Sequence, residues 1–549
     1  MKKNTQAGNI VKIVVITLVA AAIYYYLALP AINIHEPGFW MFFFFIAAFL
    51  AVRAFLKSLQ TSPDKKNVEL AEYKVKENHV KVYSIIAAVI FGVYLIGSLL
   101  SSQIINAARY QKLIAPETRD FTDDIEEISY EEIPLLDKDS ASLLAIRKMG
   151  SMVEYVSQFE VVSDNYQINY KGSPYRVTSL EYGNFFKWIS NTSQGIPAYI
   201  KINMADQSVE CVKLAEGMKY SNSEYFLRYI PRYLRFHYPT YMFEDIHFEI
   251  DDAGTPYWVC PVKDYTIGLF GGKTISRVVL CNAITGELQN YALEEVPQWV
   301  DRVFSAELLI SYYDYYGTLK HGWLNTLFSA KDCLQTTDGY NYIALEDDVW
   351  VYTGITSVGS DESNVGFVLM NQRTAETRYY EVPGAEEYSA MASAEGQVQN
   401  LGYHATFPLL LNISGEPTYF ISLKDDAGLV KKYAMVNIGK YNIVSIGDTV
   451  QSCEMAYLDL MRSNNIMINE TPVPELVSDK TVSGTIRTIY PVTENGSTVF
   501  YVTLEQTDTL MRIDPSVTLD VVRCAVGDKV TLEYYETEAY GVVTGLKLP

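Results

Sequence analysis

Hydrophobic and polar positions change rhythm several times along the chain, and each rhythm predicts a different kind of element. Near the amino end, three apolar segments occupy residues 13–34, 39–56 (with the run WMFFFF) and 82–101. Each is about long enough to cross a hydrocarbon core of ~30 Å as a helix. Arg53 falls late in the second, where a long cation can reach the interface. Residues 106–137 lose periodicity and turn acidic, which predicts a spacer. A helix then begins near residue 138, with Asp139 or Ser140 as its cap and Leu143, Leu144, Ile146, Met149, Met152 and Val153 as its apolar positions. Beyond it, YIKINM, SVECVKL, VGFVLMN and TRYYEV alternate with the period of half-buried strands. SNSEYFLRYIPRYLRFHY and AEEYSAMASAEGQVQNLGY read as helices. The expected class is α+β, mostly antiparallel, with helices on one sheet face.

Laying the chain against itself at an offset of about 160 residues aligns GTPYWVCPVKD (254–264) with GEPTYFISLKD (415–425). Weaker matches in the same order pair Leu180–Glu181 with Leu345–Glu346, residues 208–210 with 374–376, and FHYPTY with YHATF. The expectation is a duplicated α+β domain: a first copy at 138–297, a connecting helix at 298–334 and a second copy at 335–468. A Pro-containing linker, 469–479, follows. From 480 to 549 five dense β-patterned segments predict a small closed barrel.

Charge supplies an orientation. The loop between the second and third apolar segments carries Lys57, Lys65, Lys66, Lys74, Lys76 and Lys81, whereas IHEPG between the first and second carries no Lys or Arg. The amino terminus and the lysine loop are therefore expected in the cytoplasm. Three crossings would then place residues 106–549 outside the plasma membrane. That portion holds 34 of the 44 basic and 60 of the 65 acidic residues, an acidity that argues against nucleic acid as a partner. With hydrophobic residues at 49%, the chain is too apolar to be disordered.

Two resemblances follow. RVVLCNAITGELQNYAL, an apolar strand, a short turn and another strand, resembles the PepSY-like module; NQRTAE (371–376) is similar and ADQSVE (205–210) looser. The resemblance spans about 165–460. It implies small α+β domains on exported or membrane-anchored bacterial proteins that bind or restrain other proteins, and it brings no catalytic residues. The carboxyl-terminal segment, with Gly484 in its first strand and VGDKV before the fourth, resembles an OB-fold. It lacks the basic groove that nucleic-acid binding needs, so a structural or protein-binding barrel is expected.

No catalytic constellation is legible. The histidines of the exported portion, His237, His247, His321 and His404, have no metal-ligand spacing, and neither a nucleophile elbow nor a phosphate loop occurs. His237 and His404 fall at related places in the two expected copies. The repeated pairs Lys263–Asp264 and Lys424–Asp425 are candidate binding residues, or equally a shared salt bridge or turn. Acid pairs at 251–252, 346–348 and 425–426 sit beside turn residues, where they cap backbone or, alternatively, bind calcium. All six cysteines lie in the exported portion; Cys260 and Cys281 flank an expected hairpin tip, FGGK, and are either a disulfide or two buried apolar residues. The expected function is a membrane-anchored extracytoplasmic binding or scaffold protein, without cofactor or metal, whose partner is an envelope protein or peptide. The alternatives are a component or regulator of an envelope machine for secretion, division or conjugation, and an enzyme acting on envelope polymers or peptides.

Overall fold

The computed structural model describes residues 15–16, 18–59, 69–126, 133–358, 363–464, 466, 480–494, 497–515, 518–536 and 540–548. They belong to two compact units, Met1–Leu460 and Met461–Pro549. The expected linker 469–479 lies outside the described residues.

In the first unit, helices Pro37–Leu59 and Glu69–Leu100 pack along each other. Their spans Pro37–Leu56 and His79–Leu100 are apolar and only 6% and 11% buried within the protein. The expected count of three spans is corrected here: among the described residues two helices are long enough to cross a membrane, and the first apolar segment gives a shorter helix, Leu18–Ala28. It stops because Leu29 takes a positive φ of 50° immediately before Pro30, a residue pair that does not continue a helix.

Three five-stranded sheets and one six-stranded sheet follow, and five strands of each share one order. In each, a short edge strand and the first arm of a hairpin both pair with one long strand, and two more strands continue the sheet. The long strands are Ser173–Tyr182, Pro256–Ile267, Asp348–Ser357 and Glu416–Lys424. Helices Lys138–Gly150, Ile230–His237, Ala306–Thr318 and Glu387–Gln397 each precede one sheet. Three of the four hairpins turn through two residues at positive φ: Lys171–Gly172, Glu346–Asp347 and Ser414–Gly415. That is the turn whose twist matches the flanking strands.

A second turn recurs between the fourth and fifth strands. Asn203, Asn282 and Asn371 each accept two backbone N–H groups on Oδ1, from Ala205 and Asp206, Ile284 and Thr285, and Arg373 and Thr374. Asp206, Thr285 and Thr374 then each accept the N–H two residues on. Gln207, Gly286 and Ala375 supply the positive φ. In the fourth sheet Asn437 accepts from Lys440 and the turn is longer. These are the ADQSVE, ITGE and NQRTAE segments: an Asn able to satisfy two N–H groups makes the corner without a long loop.

The second sheet is buried on both faces. Cys260, Val262, Val279 and Cys281 join the first sheet's Ile168, Val177 and Ile200. Val259, Val278 and Leu280 join Leu309, Tyr312 and Tyr313 of helix Ala306–Thr318 and Val351, Val368 and Met370 of the third sheet. Continuous apolar strands such as RVVLCN are what two-sided burial requires. The described part of 106–137 is packed rather than extended. Glu117–Arg119 adds a parallel strand to Thr377–Tyr380, and Ile125 and Ile133 are fully buried. The expected helix near 138 spans Lys138–Gly150 and is capped by Asp137, whose Oδ1 accepts from Ser140 N at 2.9 Å. The expected long helix at 221–238 is only a 3₁₀ turn, Phe226–Arg228, and helix Ile230–His237 with Pro231 in its first turn.

The second unit contains a closed barrel of five strands, beginning with Lys480–Glu494. In space the first strand is followed by the second, third, fifth and fourth, which returns to the first; third and fifth run parallel. Its core includes Ile486, Val502, Met511 and Leu532.

Candidate functional site

The lysines of the two Lys–Asp pairs occupy the same place in their sheets. Lys263 lies opposite Met242 and Lys424 opposite His404, each facing the short edge strand. Each reaches an acid from an earlier segment: Lys263 Nζ lies 3.6 Å from Glu36, and Lys424 Nζ donates to Asp137 at 2.6 Å. Asp264 accepts from Tyr265 N, and Asp425 accepts from Ala427 and Leu429 while Lys431 lies 3.5 Å away. His237 bonds the Tyr233 carbonyl on an exposed helix end, and His404 lies 3.5 Å from Asp426 on an exposed edge strand. The structure does not bring these two histidines together. The register sets Cys260 opposite Val279 and Cys281 opposite Trp258, and both thiols are free and pushed up by burial, that of Cys281 to about 12. Among the described residues no group of three or more His, Cys, Asp or Glu is placed to hold a metal ion.

What the structure does assemble is a polar cavity of about 290 Å³ between the first and third sheets. Gln167 and Arg176 sit directly opposite each other across the hairpin Tyr166–Tyr170 to Ser173–Tyr182, so both project from one face. Tyr340 and Tyr342 come from the third sheet's side, and Arg302 from the segment before helix Ala306–Thr318. Lys138, Asp139 and Glu307 are exposed and form part of the rim.

The interior is unusual in its unmet hydrogen-bonding capacity. Gln167 is 6% and Arg176 4% exposed, yet both polar atoms of the Gln167 amide and Arg176 Nε lack partners. Arg176 donates from Nη1 to Asn165 Oδ1 at 3.0 Å, and no acidic side chain lies within ion-pair distance of it among the described residues. Burial lowers its pKa below the usual guanidinium range. Arg302 pairs with Asp245 at 2.6 Å and stands over the Tyr166 ring, but its Nε and Nη1 are buried and unpaired. On the rim, Tyr340 donates to Glu307 at 2.7 Å. A buried cation without a counter-charge costs several kcal/mol.

Next to the lining residues Tyr166 and Arg302 lies a second polar group, His247, Glu249 and Asp301, all buried. His247 Nδ1 donates to the Asp245 carbonyl, which cannot donate in return, and Nε2 lies 2.8 Å from Glu249 Oε1. Glu249 also accepts the N–H groups of Asp301 and Arg302. Asp301 accepts Asn169 N at 2.8 Å. Burial and the adjacent Glu249 push its pKa well above the carboxylate range. Sequence reasoning missed both groups. Gln167 and Arg176 sit on an alternating strand as ordinary outward-facing polar residues would, and only the third sheet covering that face makes them interior. No protein-family model matches the chain, and no curated protein matches it.

Proposed function

We propose that the chain is a membrane-anchored extracytoplasmic binding protein whose sheet-rich body holds an envelope protein or peptide. The observation that carries the anchoring is the surface of the two long apolar helices. They expose Phe45, Phe49, Ile85, Val89 and Ile96 over lengths that match a bilayer, and a bilayer is the environment that would cover them. The lysine-rich segment between them favours a cytoplasmic side for that loop and an exterior body. The ends of the apolar helices are also tied to the body. Arg232 and Arg235 donate to the Tyr26 and Leu29 carbonyls where the first helix ends, and Phe270 N donates to Ser101 Oγ at the end of Glu69–Leu100.

The common strand order and the repeated Asn corner support reading the four sheets as copies of one PepSY-like unit of about 80 residues, two of them in each copy that the 160-residue offset picks out. The barrel's strand order supports an OB-like reading. The binding role rests on the cavity with its unmet donors. The test is a set of carboxyl-terminal reporter fusions, with alkaline phosphatase active only outside and a fluorescent protein folded only inside, combined with crosslinking and mass spectrometry in intact cells. An inactive phosphatase and a fluorescent fusion would reject the exterior placement; the absence of any recurrent crosslinked neighbour would reject the binding role.

A further inference from the structure

We propose that the cavity between the first and third sheets binds a carboxylate group, presented by a small organic acid or by the carboxyl end of a peptide, with Arg176 as its principal anchor. The geometry selects this chemistry. With Nη1 committed to Asn165, the edge of Arg176 that remains without a protein acceptor is the one bearing Nε and Nη2. That edge offers two parallel N–H donors, the fork that a planar carboxylate meets with both oxygens. The Gln167 amide, opposite Arg176 on the same hairpin, adds an unpaired donor. Arg302 contributes two more buried N–H groups to the lining. Tyr342 lines the same cavity as both guanidinium groups.

The rim limits what the carboxylate can be attached to. Asp139 and Glu307 are exposed there, the rim cation Lys138 is paired with Asp164 at 2.8 Å, and Asp137 is already neutralised by Lys424. A second negative charge on the ligand would meet these acids, so a neutral or cationic remainder is preferred over a dicarboxylate or a phosphate. A volume of about 290 Å³ suits an amino acid or the last residue or two of a peptide. This deepens the binding role proposed above and rests on it for the peptide source alone.

The experiment is calorimetric titration of the purified full chain in detergent with trialanine, trialanine amide, acetate, succinate and inorganic phosphate. Binding of trialanine or acetate, with the amide at least about tenfold weaker, is the expected result. Trialanine far tighter than acetate identifies peptide ends as the source, and equal affinities identify free small acids. Arg176→Met should abolish binding, and Arg176→Lys should weaken it about tenfold because the fork is lost. Without ligand, Arg176→Met should melt no lower than the parent, since it removes an unpaired buried charge. Should Arg176→Met fail to fold, Gln167→Met supplies the same comparison, with weakened carboxylate binding expected. Equal binding of acid and amide, tighter binding of phosphate or succinate, or no carboxylate binding at millimolar concentration overturns the proposal. Those outcomes leave the topology tested by the reporter fusions untouched.

Discussion

Asp301 shows how one buried carboxyl group sets a pH dependence. Its folded pKa is raised, so the folded chain keeps a proton that the unfolded chain has released from about pH 4 upward. This group's contribution to stability therefore falls as pH rises from about 4 through the raised value. Asp301→Asn keeps an oxygen for the Asn169 N–H and removes the charge. Thermal melts of the full chain in detergent should show the variant more stable than the parent at neutral pH and less sensitive to pH between 5 and 8. A parent and variant with parallel pH profiles would show that Asp301 is not the group responsible. Asp137 works in the opposite direction. Burial opposes its ionisation, but Lys424 and Ser140 outweigh that and hold its pKa below the carboxylate range. Its stabilisation is present above about pH 4 and is lost as pH falls through the lowered value. Lys424→Met should weaken that acid limb in the same melts while leaving Asp137 able to cap its helix.

At the scale of elements, the Asn corner is the device that repeats, and it can be tested one sheet at a time. Asn282→Ala strips the acceptor from Ile284 N and Thr285 N and disturbs no other hydrogen bond of that side chain among the described residues. A loss of about 1–3 kcal/mol is expected by denaturant titration. Asn371→Ala should cost more, because its Nδ2 also donates to the buried Asp348 Oδ2 at 2.8 Å. Equal, negligible losses would mean that the corners are set by their positive-φ residues alone. The corner was legible in the sequence as the ITGE, NQRTAE and ADQSVE segments, and so were the strands Ile196–Asn203, Val209–Met218, Gly366–Asn371 and Thr377–Tyr380, whose alternation marks them. The common order of the four sheets was not. Edge strands such as Met242–Phe243 and His404–Ala405 are two residues long and carry no period. The hairpin at Glu346–Asp347 has two acids at positive φ instead of the Gly or Asn that announces such a turn. The offset near 160 caught Lys263 and Lys424 because both face an edge strand, one in the second sheet and one in the fourth. The polar cavity could not be read at all, since it depends on one sheet covering the face of another that is far away in sequence.

At the scale of the whole first unit, two exposed apolar patches sit beside the apolar helices. One groups Phe185, Phe186, Trp188, Tyr225 and Phe226, with ring centroids 4.8 to 6.0 Å apart. It is linked to the first apolar helix by Arg232, which donates to the carbonyls of both Phe226 and Tyr26. The other is helix Trp323–Phe328, which packs on Gln103–Tyr110 just beyond Glu69–Leu100 and exposes Leu324, Leu327 and Phe328. Phe186 is 77% and Phe328 80% exposed. Leaving such side chains in water is costly at roughly 25 cal/mol per Å² of apolar surface, and aromatic side chains gather where a membrane meets water. If the body stands outside an anchored pair of helices, both patches are expected to rest in the headgroup region of the outer leaflet. A benzophenone amino acid placed at Phe186 or Phe328 of the full chain in proteoliposomes should yield lipid adducts on illumination, detected by intact-mass measurement. The same probe at Tyr388, on helix Glu387–Gln397, serves as the reference and should yield few or none. Lipid adducts at Tyr388 equal to those at the two phenylalanines would refute a specific membrane-facing side. Adducts to protein alone at Phe186 and Phe328 would assign the patches to a partner instead.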